Sequence, residues 1–190
     1  FPLRGKFINV RDKSPNDINK NEEVKHLKQI IGLQTGKVYT NLDSLRYGSI
    51  MILTDADVDG SHIKGLVMNF FEYFWPSLIK IPGFIVSFLT PIIKVSKGNN
   101  HISFYTNTDY EEWKAANNEG KGWSIKYYKG LGTSTSKEAK EYFKIMNDSI
   151  IKYVIDDENS DTKSIVLAFG SSQKKDESGI KFSDKRKDWL

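Results

Sequence analysis

The 190-residue chain contains no cysteine. Disulfide staples and thiolate metal sites are therefore excluded, and the composition fits a reducing compartment. Nor is there an apolar run that could span a bilayer. The most apolar stretch, Leu66 to Ile81, is interrupted by Asn69, Glu72 and Lys80, so no membrane partner is expected. No secretory leader opens the chain, which begins at Phe1 rather than Met and reads as a piece of something longer. Internal repeats are absent as well. Charge is close to balanced, with 28 Lys and Arg against 24 Asp and Glu, a net of +4. That mild basicity permits a nucleic-acid partner without requiring one. The length is enough for one or two domains with a real core.

The most informative stretch is Tyr47 to Gly65, YGSIMILTDADVDGSHIKG. Four apolar residues, Ile50 to Leu53, precede Asp55, Asp57 and Asp59 at alternate positions, followed by Gly60 and Ser61. Next comes a helical spacing of Ile63, Leu66, Val67, Phe70 and Phe74. A short continuous apolar run predicts a strand buried on both faces, as in a parallel sheet, and Ser61 is a candidate N-cap for the helix. The carboxylates then sit where a strand ends and a helix begins, the place where open α/β sheets bind ligands. Three crowded carboxylates repel one another. A hard divalent cation relieves this, and Mg²⁺ takes one or two carboxylates together with water and phosphate oxygens. The alternative is a solvated acidic turn, with Asp59 serving the helix N-terminus. Asp55 to Gly60 also copies the opening of an EF-hand loop, but Leu66 occupies the twelfth position, where Glu is needed, and no helix enters the loop.

Elsewhere, Phe7 to Val10 reads as a short β-like run flanked by Arg4, Lys6 and Arg11. Ser14 and Pro15 open a helix whose apolar face is Val24, Leu27 and Ile31 and which Gly32 ends. Residues 34 to 46 read as a polar connection. Phe84 to Val95 predicts one or two strands interrupted at Pro91. A turn at Lys97 to Asn100 and a strand from His101 to Thr106 complete a hairpin. Asp109 to Ala116 is a short helix with Trp113 assigned to the core, and Ser124 to Tyr128 a further strand. Asp156 to Asp161 reads as an acidic loop, Asp161 to Phe169 as a short helix, Gly170 to Ser183 as a mobile polar segment, and Lys185 to Leu190 as a basic helix.

A second motif, KYYKGLGTSTSKEAKEY, runs from Lys126 to Tyr142. Thr135 and Glu138 have capping-box spacing, with Ala139, Tyr142, Phe143 and Met146 as the apolar face. Backbone N–H groups at a glycine turn and helix start, beside Lys129, suit a phosphate; an ordinary tight turn is the competing reading. No P-loop pattern is present.

TDADVDGSHI at Thr54 to Ile63, PLRGK at Pro2 to Lys6 and YYKGLGTSTSKEAKEYF at Tyr127 to Phe143 resemble the TOPRIM region of type IIA DNA topoisomerases in wording, order and spacing. The acidic motif is shared with gyrase and primases. PLRGK, LRYG at Leu45 to Gly48, WPSL at Trp75 to Leu78 and the long KGLGTSTSKEAKEYF run look more like eukaryotic topoisomerase II. This resemblance implies a Rossmann-like parallel sheet flanked by helices and followed by a mixed extension. The implied division is a core over residues 1–95, an extension over 96–155, and over 156–190 a flexible loop leading toward a winged-helix region. It further implies an ATP-driven enzyme that breaks both strands of one duplex, passes another through and reseals the break, as a nuclear homodimer. By the resemblance, Asp55 and Asp57 match direct Mg²⁺ ligands, with Mn²⁺ or Ca²⁺ as substitutes, and Asp59 matches the third acidic position. Lys6, Asn9, Arg186 and Lys187 match DNA-contacting positions, Arg4 one near the cleavage site, and Lys129 faces the DNA backbone. The family's glutamate lies upstream of PLRGK and its nucleophilic tyrosine beyond the closing run, so no catalytic residue is expected within the chain. The ATPase and winged-helix regions belong to the parent chain. A non-catalytic nucleic-acid-binding or docking module, and a gyrase-type or primase-like domain, are the other readings.

Overall fold

The computed structural model describes residues 1–155 and 160–189. Helices α1 (Pro15–Lys20) and α2 (Glu22–Ile31) come first, followed by strand β1 (Ile50–Ile52), the long helix α3 (Val58–Phe74) and the short α4 (Pro76–Ile79). Next are β2 (Ile85–Phe88), β3 (Ile93–Lys97), β4 (Asn100–Phe104), α5 (Asn107–Ala116) and β5 (Ser124–Tyr127). Last are α6 (Ser136–Lys144), β6 (Ile150–Lys152), α7 (Ser160–Phe169) and α8 (Phe182–Trp189). One sheet has the order β1-β2-β6 and the other the order β4-β3-β5. In the first, α3 and α4 form the crossover from β1 to β2, the connection a parallel pair needs. The bonds Tyr153 N to Ile85 O and Leu89 N to Ser149 O make β6 antiparallel to β2. The sheet is therefore mixed, not purely parallel. The second sheet is antiparallel throughout, with Ile93 opposite both Phe104 and Tyr127.

The chain divides into two compact units. The first comprises Phe1–Met51, His62–Val86 and Lys152–Leu190. Its core is aromatic: Phe70, Phe71, Trp75 and Phe84 are fully buried, with edge-to-face ring pairs such as Phe71 with Phe84 at 5.3 Å. Trp75 Nε1 donates to Gln34 O at 2.8 Å, so the polar connection predicted over 34–46 is tied to the core. Three expectations change here. Phe7 and Val10 are buried, yet the segment forms no strand: Asp12 N donates back to Asn9 O at 3.1 Å and Arg11 N to Asn9 Oδ1 at 3.2 Å, which turns the chain. The helix expected from Pro15 to Ile31 is two helices: Asn21 adopts an extended conformation and its side chain accepts from Val24 N, which restarts the helix. The segment 170–183 is not loose. Lys175 and Lys181 form an antiparallel bridge, closed by Asp176, whose carboxylate accepts from Ser178 N, Ser178 Oγ and Ile180 N and pairs with Lys185. The Lys185 ammonium, followed by the Ser178 hydroxyl, holds that carboxyl well below the usual range.

The second unit comprises Ile52–Ser61 and Ser87–Ile151. Ile93, Val95, Phe104 and Tyr110 form its buried cluster, with Trp113 and Trp123 packed against them. Trp113 thus packs on the core, as expected. Thr106 caps α5 by accepting from Asp109 N, and Gly98 turns the β3–β4 hairpin at φ 59°. The acidic loop expected over Asp156 to Asp161 falls largely on residues 156–159, outside the described residues. No described helix is long and apolar enough to cross a membrane.

Candidate metal and DNA site

β1 ends at Ile52, and the sequence Leu53 to Asp57 carries the chain to α3. The strand is less buried than its apolar run predicts, since Met51 and Leu53 are exposed. The helix also starts earlier than expected. Asp57, not Ser61, closes its first turn: Asp57 Oδ1 accepts from Gly60 N at 2.7 Å, and Asp57 O accepts from Ser61 N at 3.0 Å. Gly60 is required by close approach, because a Cβ there would lie 2.0 Å from Asp55 O. Asp57 and Asp59 are exposed and Asp55 is half-buried. Thr54 Oγ1, next to Asp55, is buried with no hydrogen-bond partner among the described residues.

The lysine–glycine motif belongs to the same unit. After β5 the chain runs through Tyr128, Lys129 and Gly130 into a 3-10 turn, Leu131–Thr133, and then α6. A Cβ on Gly130 would lie 2.8 Å from Asp55 Oδ2 and 3.1 Å from Asp55 Cγ, so the turn packs directly on the half-buried carboxylate. Lys129, Asp57, Tyr127 and Ile93 are among the residues that line a cleft of about 360 Å³. The capping box is formed: Thr135 Oγ1 accepts from Glu138 N at 3.3 Å, and Glu138 Oε2 accepts from Thr135 N at 2.7 Å. Thr133 N donates to Gly130 O at 3.0 Å. Some backbone donors expected to cradle a phosphate are therefore already used within the turn. Glu138 also accepts from Lys126 Nζ at 2.8 Å and from Tyr128 Oη at 2.5 Å. Burial opposes ionisation of this carboxyl, but the bonds from Lys126, Thr135 N and Tyr128 outweigh it and bring the carboxyl down to about 2. Burial, then the bond to Glu138, pushes the Tyr128 hydroxyl well up.

The remaining basic candidates lie in the first unit. Arg4 and Lys6 are exposed, and Arg4 N donates to Glu23 Oε1 at 3.0 Å. Asn9 is half-buried and bonded within the chain: its Nδ2 donates to Phe169 O at 2.8 Å, and its Oδ1 accepts from Asn69 Nδ2 at 3.1 Å and Arg11 N at 3.2 Å. Arg186 is also engaged, donating to Leu167 O, Gly170 O and Ser172 Oγ at 2.9 to 3.0 Å. The first two are carbonyls at and just past the end of α7, which a guanidinium satisfies well. Lys187 is 78% exposed, with Asp184 one turn away at 3.4 Å.

Two family descriptions cover the chain: the Toprim domain matches residues 1–90, and the C-terminal associated domain of TOPRIM matches residues 88–190. The chain belongs to the TOPRIM family, in its eukaryotic topoisomerase II branch. DNA topoisomerase 2 of Arabidopsis thaliana is 50% identical over 193 aligned residues, which take in all of this chain and 12% of that protein. DNA topoisomerase 2 of Acanthamoeba polyphaga mimivirus is 59% identical over 157 residues, 80% of this chain and 12% of that protein. The solved DNA-binding, cleavage and re-ligation domain of Plasmodium falciparum topoisomerase II superposes with a TM-score of 0.89 at 45% identity, over all of this chain and 24% of that one. The TOPRIM chain thus spans about an eighth of the length of such curated relatives.

TOPRIM domains typically bind Mg²⁺, and the donors available here suit it in kind. Asp55 and Asp57 offer hard carboxylate oxygens at the strand end, and Asp57 keeps accepting from Gly60 N through one oxygen only. Among the described residues no three acidic or histidine side chains converge as a preformed three-ligand site. The arrangement therefore fits an ion held by one or two carboxylates, with water or phosphate oxygens completing its shell.

Sequence reasoning missed two groupings. One is Arg11, whose Nε donates to Asn69 Oδ1 at 2.7 Å and whose Nη2 pairs with the buried Glu72, under the Tyr73 ring at 5.2 Å. The signal was available: Asn69 and Glu72 interrupt the apolar face of α3 at a spacing of three. The other is Glu138 with Lys126 and Tyr128. Capping-box spacing identified Glu138 but not its second set of partners.

Proposed function

We propose that this chain is the Mg²⁺-binding TOPRIM part of an ATP-dependent DNA topoisomerase II. The parent enzyme opens a transient double-strand break in one duplex, passes a second duplex and reseals the first, as a homodimer in the nucleus. The observation that supports this most directly is Asp55 lying against the Lys129–Gly130 turn, with Asp57 capping the adjoining helix.

In this reading Asp55 and Asp57 hold the ion, and Asp59 stands nearby as an outer acidic group. The bound ion supplies Lewis acidity and charge neutralisation at a scissile phosphate. Lys129, which lines the same cleft as Asp57, adds a positive charge where phosphate charge develops. Arg4, Lys6 and Lys187 present exposed cations to the duplex backbone. Asn9 and Arg186 shape that surface through their bonds to the end of α7 and the residues just past it. None of these residues is a nucleophile. Among the tyrosines, Tyr110 is pushed up to about 12, first by its bond with Tyr127, and Tyr128 is committed to Glu138. In the topoisomerase reading the covalent tyrosine and the ATP site lie in other regions of the parent chain, and on that reading this chain alone leaves plasmid DNA uncut.

The test is Asp57→Asn titrated with Mn²⁺ by calorimetry. Asn keeps an acceptor for Gly60 N, so the helix cap survives while one ligand charge is lost. Weakened binding with an unchanged fold is expected. Equal affinity in the variant would overturn the metal assignment.

A further inference from the structure

We infer that Glu138 is a positioning residue for the metal carboxylate Asp55, acting through the Lys129–Gly130 turn; the inference rests on the metal reading above. Glu138 sits on α6 and holds both ends of the loop that carries Gly130. On the incoming side it accepts from Lys126 Nζ at 2.8 Å and from Tyr128 Oη at 2.5 Å. On the outgoing side it accepts from Thr135 N at 2.7 Å and Thr135 Oγ1 at 2.9 Å. The loop between these anchors is short and begins with Lys129 and Gly130. Its glycine is not explained by backbone conformation, because Gly130 is not among the residues of positive φ. The explanation is contact: a methyl group at Gly130 would fall 2.8 Å from Asp55 Oδ2. The clasp fixes the turn, and the turn backbone limits where the Asp55 carboxylate can lie.

A carboxylate ligand whose rotamer is restrained before the ion arrives loses less freedom on binding, and residues that orient metal ligands from behind commonly matter by about 10- to 100-fold in affinity. Two substitutions separate this role from mere support of the fold. Gly130→Ala places its methyl group against the free end of a side chain, not against backbone, so the Asp55 carboxylate swings aside and the fold is kept. Glu138→Ala releases both ends of the clasp. Glu138→Gln retains an acceptor at the capping-box position and serves as the conservative rescue.

The experiment uses the full 190-residue chain and two readouts. In the metal-free protein, nuclear Overhauser contacts between the Gly130 α-protons and the Asp55 β-protons report the packing. Mn²⁺ titration by calorimetry reports its consequence, and far-UV circular dichroism checks the fold. The Asp55–Gly130 contacts should be present in the wild type, lost in Glu138→Ala and retained in Glu138→Gln. Mn²⁺ affinity should fall about tenfold in both Gly130→Ala and Glu138→Ala, and by less than about threefold in Glu138→Gln. If Glu138→Ala keeps the Asp55–Gly130 contacts, the inference is wrong whatever the metal does. If the contacts are lost while Mn²⁺ affinity stays at the wild-type value, the positioning role is also wrong. A wild-type chain that binds no Mn²⁺ would sink the metal reading and, with it, Glu138 as a positioner of a ligand.

Discussion

Arg11 with Glu72 in the first unit and Asp55 with Asp57 in the second are both groups of charged side chains at a helix, yet they are treated in opposite ways. Arg11 and Glu72 are largely withdrawn from water, and each charge meets its opposite, with Asn9 and Asn69 satisfying remaining polar atoms. Burial lowers the Arg11 guanidinium from its ordinary value, which is the mark of a charge kept at a cost. At the acidic loop, like charges stand together, and Asp57 and Asp59 stay in solvent. A buried charge needs its counter-charge within the chain. An exposed carboxylate such as Asp57, with one oxygen on Gly60 N, can still take a ligand.

The sharpest way to break this contrast is Glu72→Ala. It strands a buried guanidinium, so a loss of about 3 to 5 kcal/mol is expected in urea unfolding. A loss under about 1 kcal/mol would mean that water reaches Arg11 and that the two groups differ less than described. At the acidic loop the corresponding removal, Asp57→Asn, should leave metal-free stability equal or higher, because Asn still accepts from Gly60 N while like-charge repulsion is relieved. A large destabilisation measured the same way would make the loop a structural feature and erase the distinction.

Glu138 falls between these extremes, since its clasp is structural and faces the site. Its carboxyl lies at about 2 in the fold against an ordinary 4.5. The folded value is depressed, so its contribution is fully present above 4.5 and is lost as pH falls through the folded value. Stability should therefore decline across that acid window, and Glu138→Gln should flatten the decline; parallel curves would show that Glu138 is not the titrating group. Thr135→Ala, which removes the reciprocal cap, should cost about 1 kcal/mol, measured by thermal unfolding. The smallest effect on stability belongs to Lys187→Ala, within about 0.5 kcal/mol as for other exposed substitutions. If Lys187 touches DNA phosphate, the same change should reduce the salt dependence of duplex binding by about one unit of slope, read by fluorescence anisotropy across a salt series.

Much of the molecule was legible along the chain because its signals are local. Ser14, Gly32, Thr135 with Glu138, and Lys97 to Asn100 are caps and turns whose chemistry acts over three or four residues, and each stands where expected. The helix break at Asn21 was missed because two caps seven residues apart compete with one continuous apolar face, and Asn21 wins by bonding Val24 N. Phe7 to Val10 misled for another reason. Apolar alternation shows that side chains are buried, not whether the backbone finds a strand to pair with.

The acidic triplet, the lysine–glycine turn and the spacing between them are properties of the sequence, and they sufficed to indicate the family and the hard-oxygen chemistry. What the sequence could not determine is which polar residues turn inward. Asn9 and Arg186 matched DNA-contacting positions alongside Lys6 and Lys187, and Arg11 stood only as a basic flank of the Phe7 to Val10 run. The fold gives Asn9 and Arg186 to the carbonyls at and just past the end of α7, and Arg11 to Glu72 and Asn69 on α3. Those partners lie many residues away, so the pairing exists only once the helices have packed. Asp55 against Gly130 is the same kind of fact. A glycine reads as freedom along the chain, and only the folded molecule shows that the space it leaves is filled by a carboxylate 75 positions earlier.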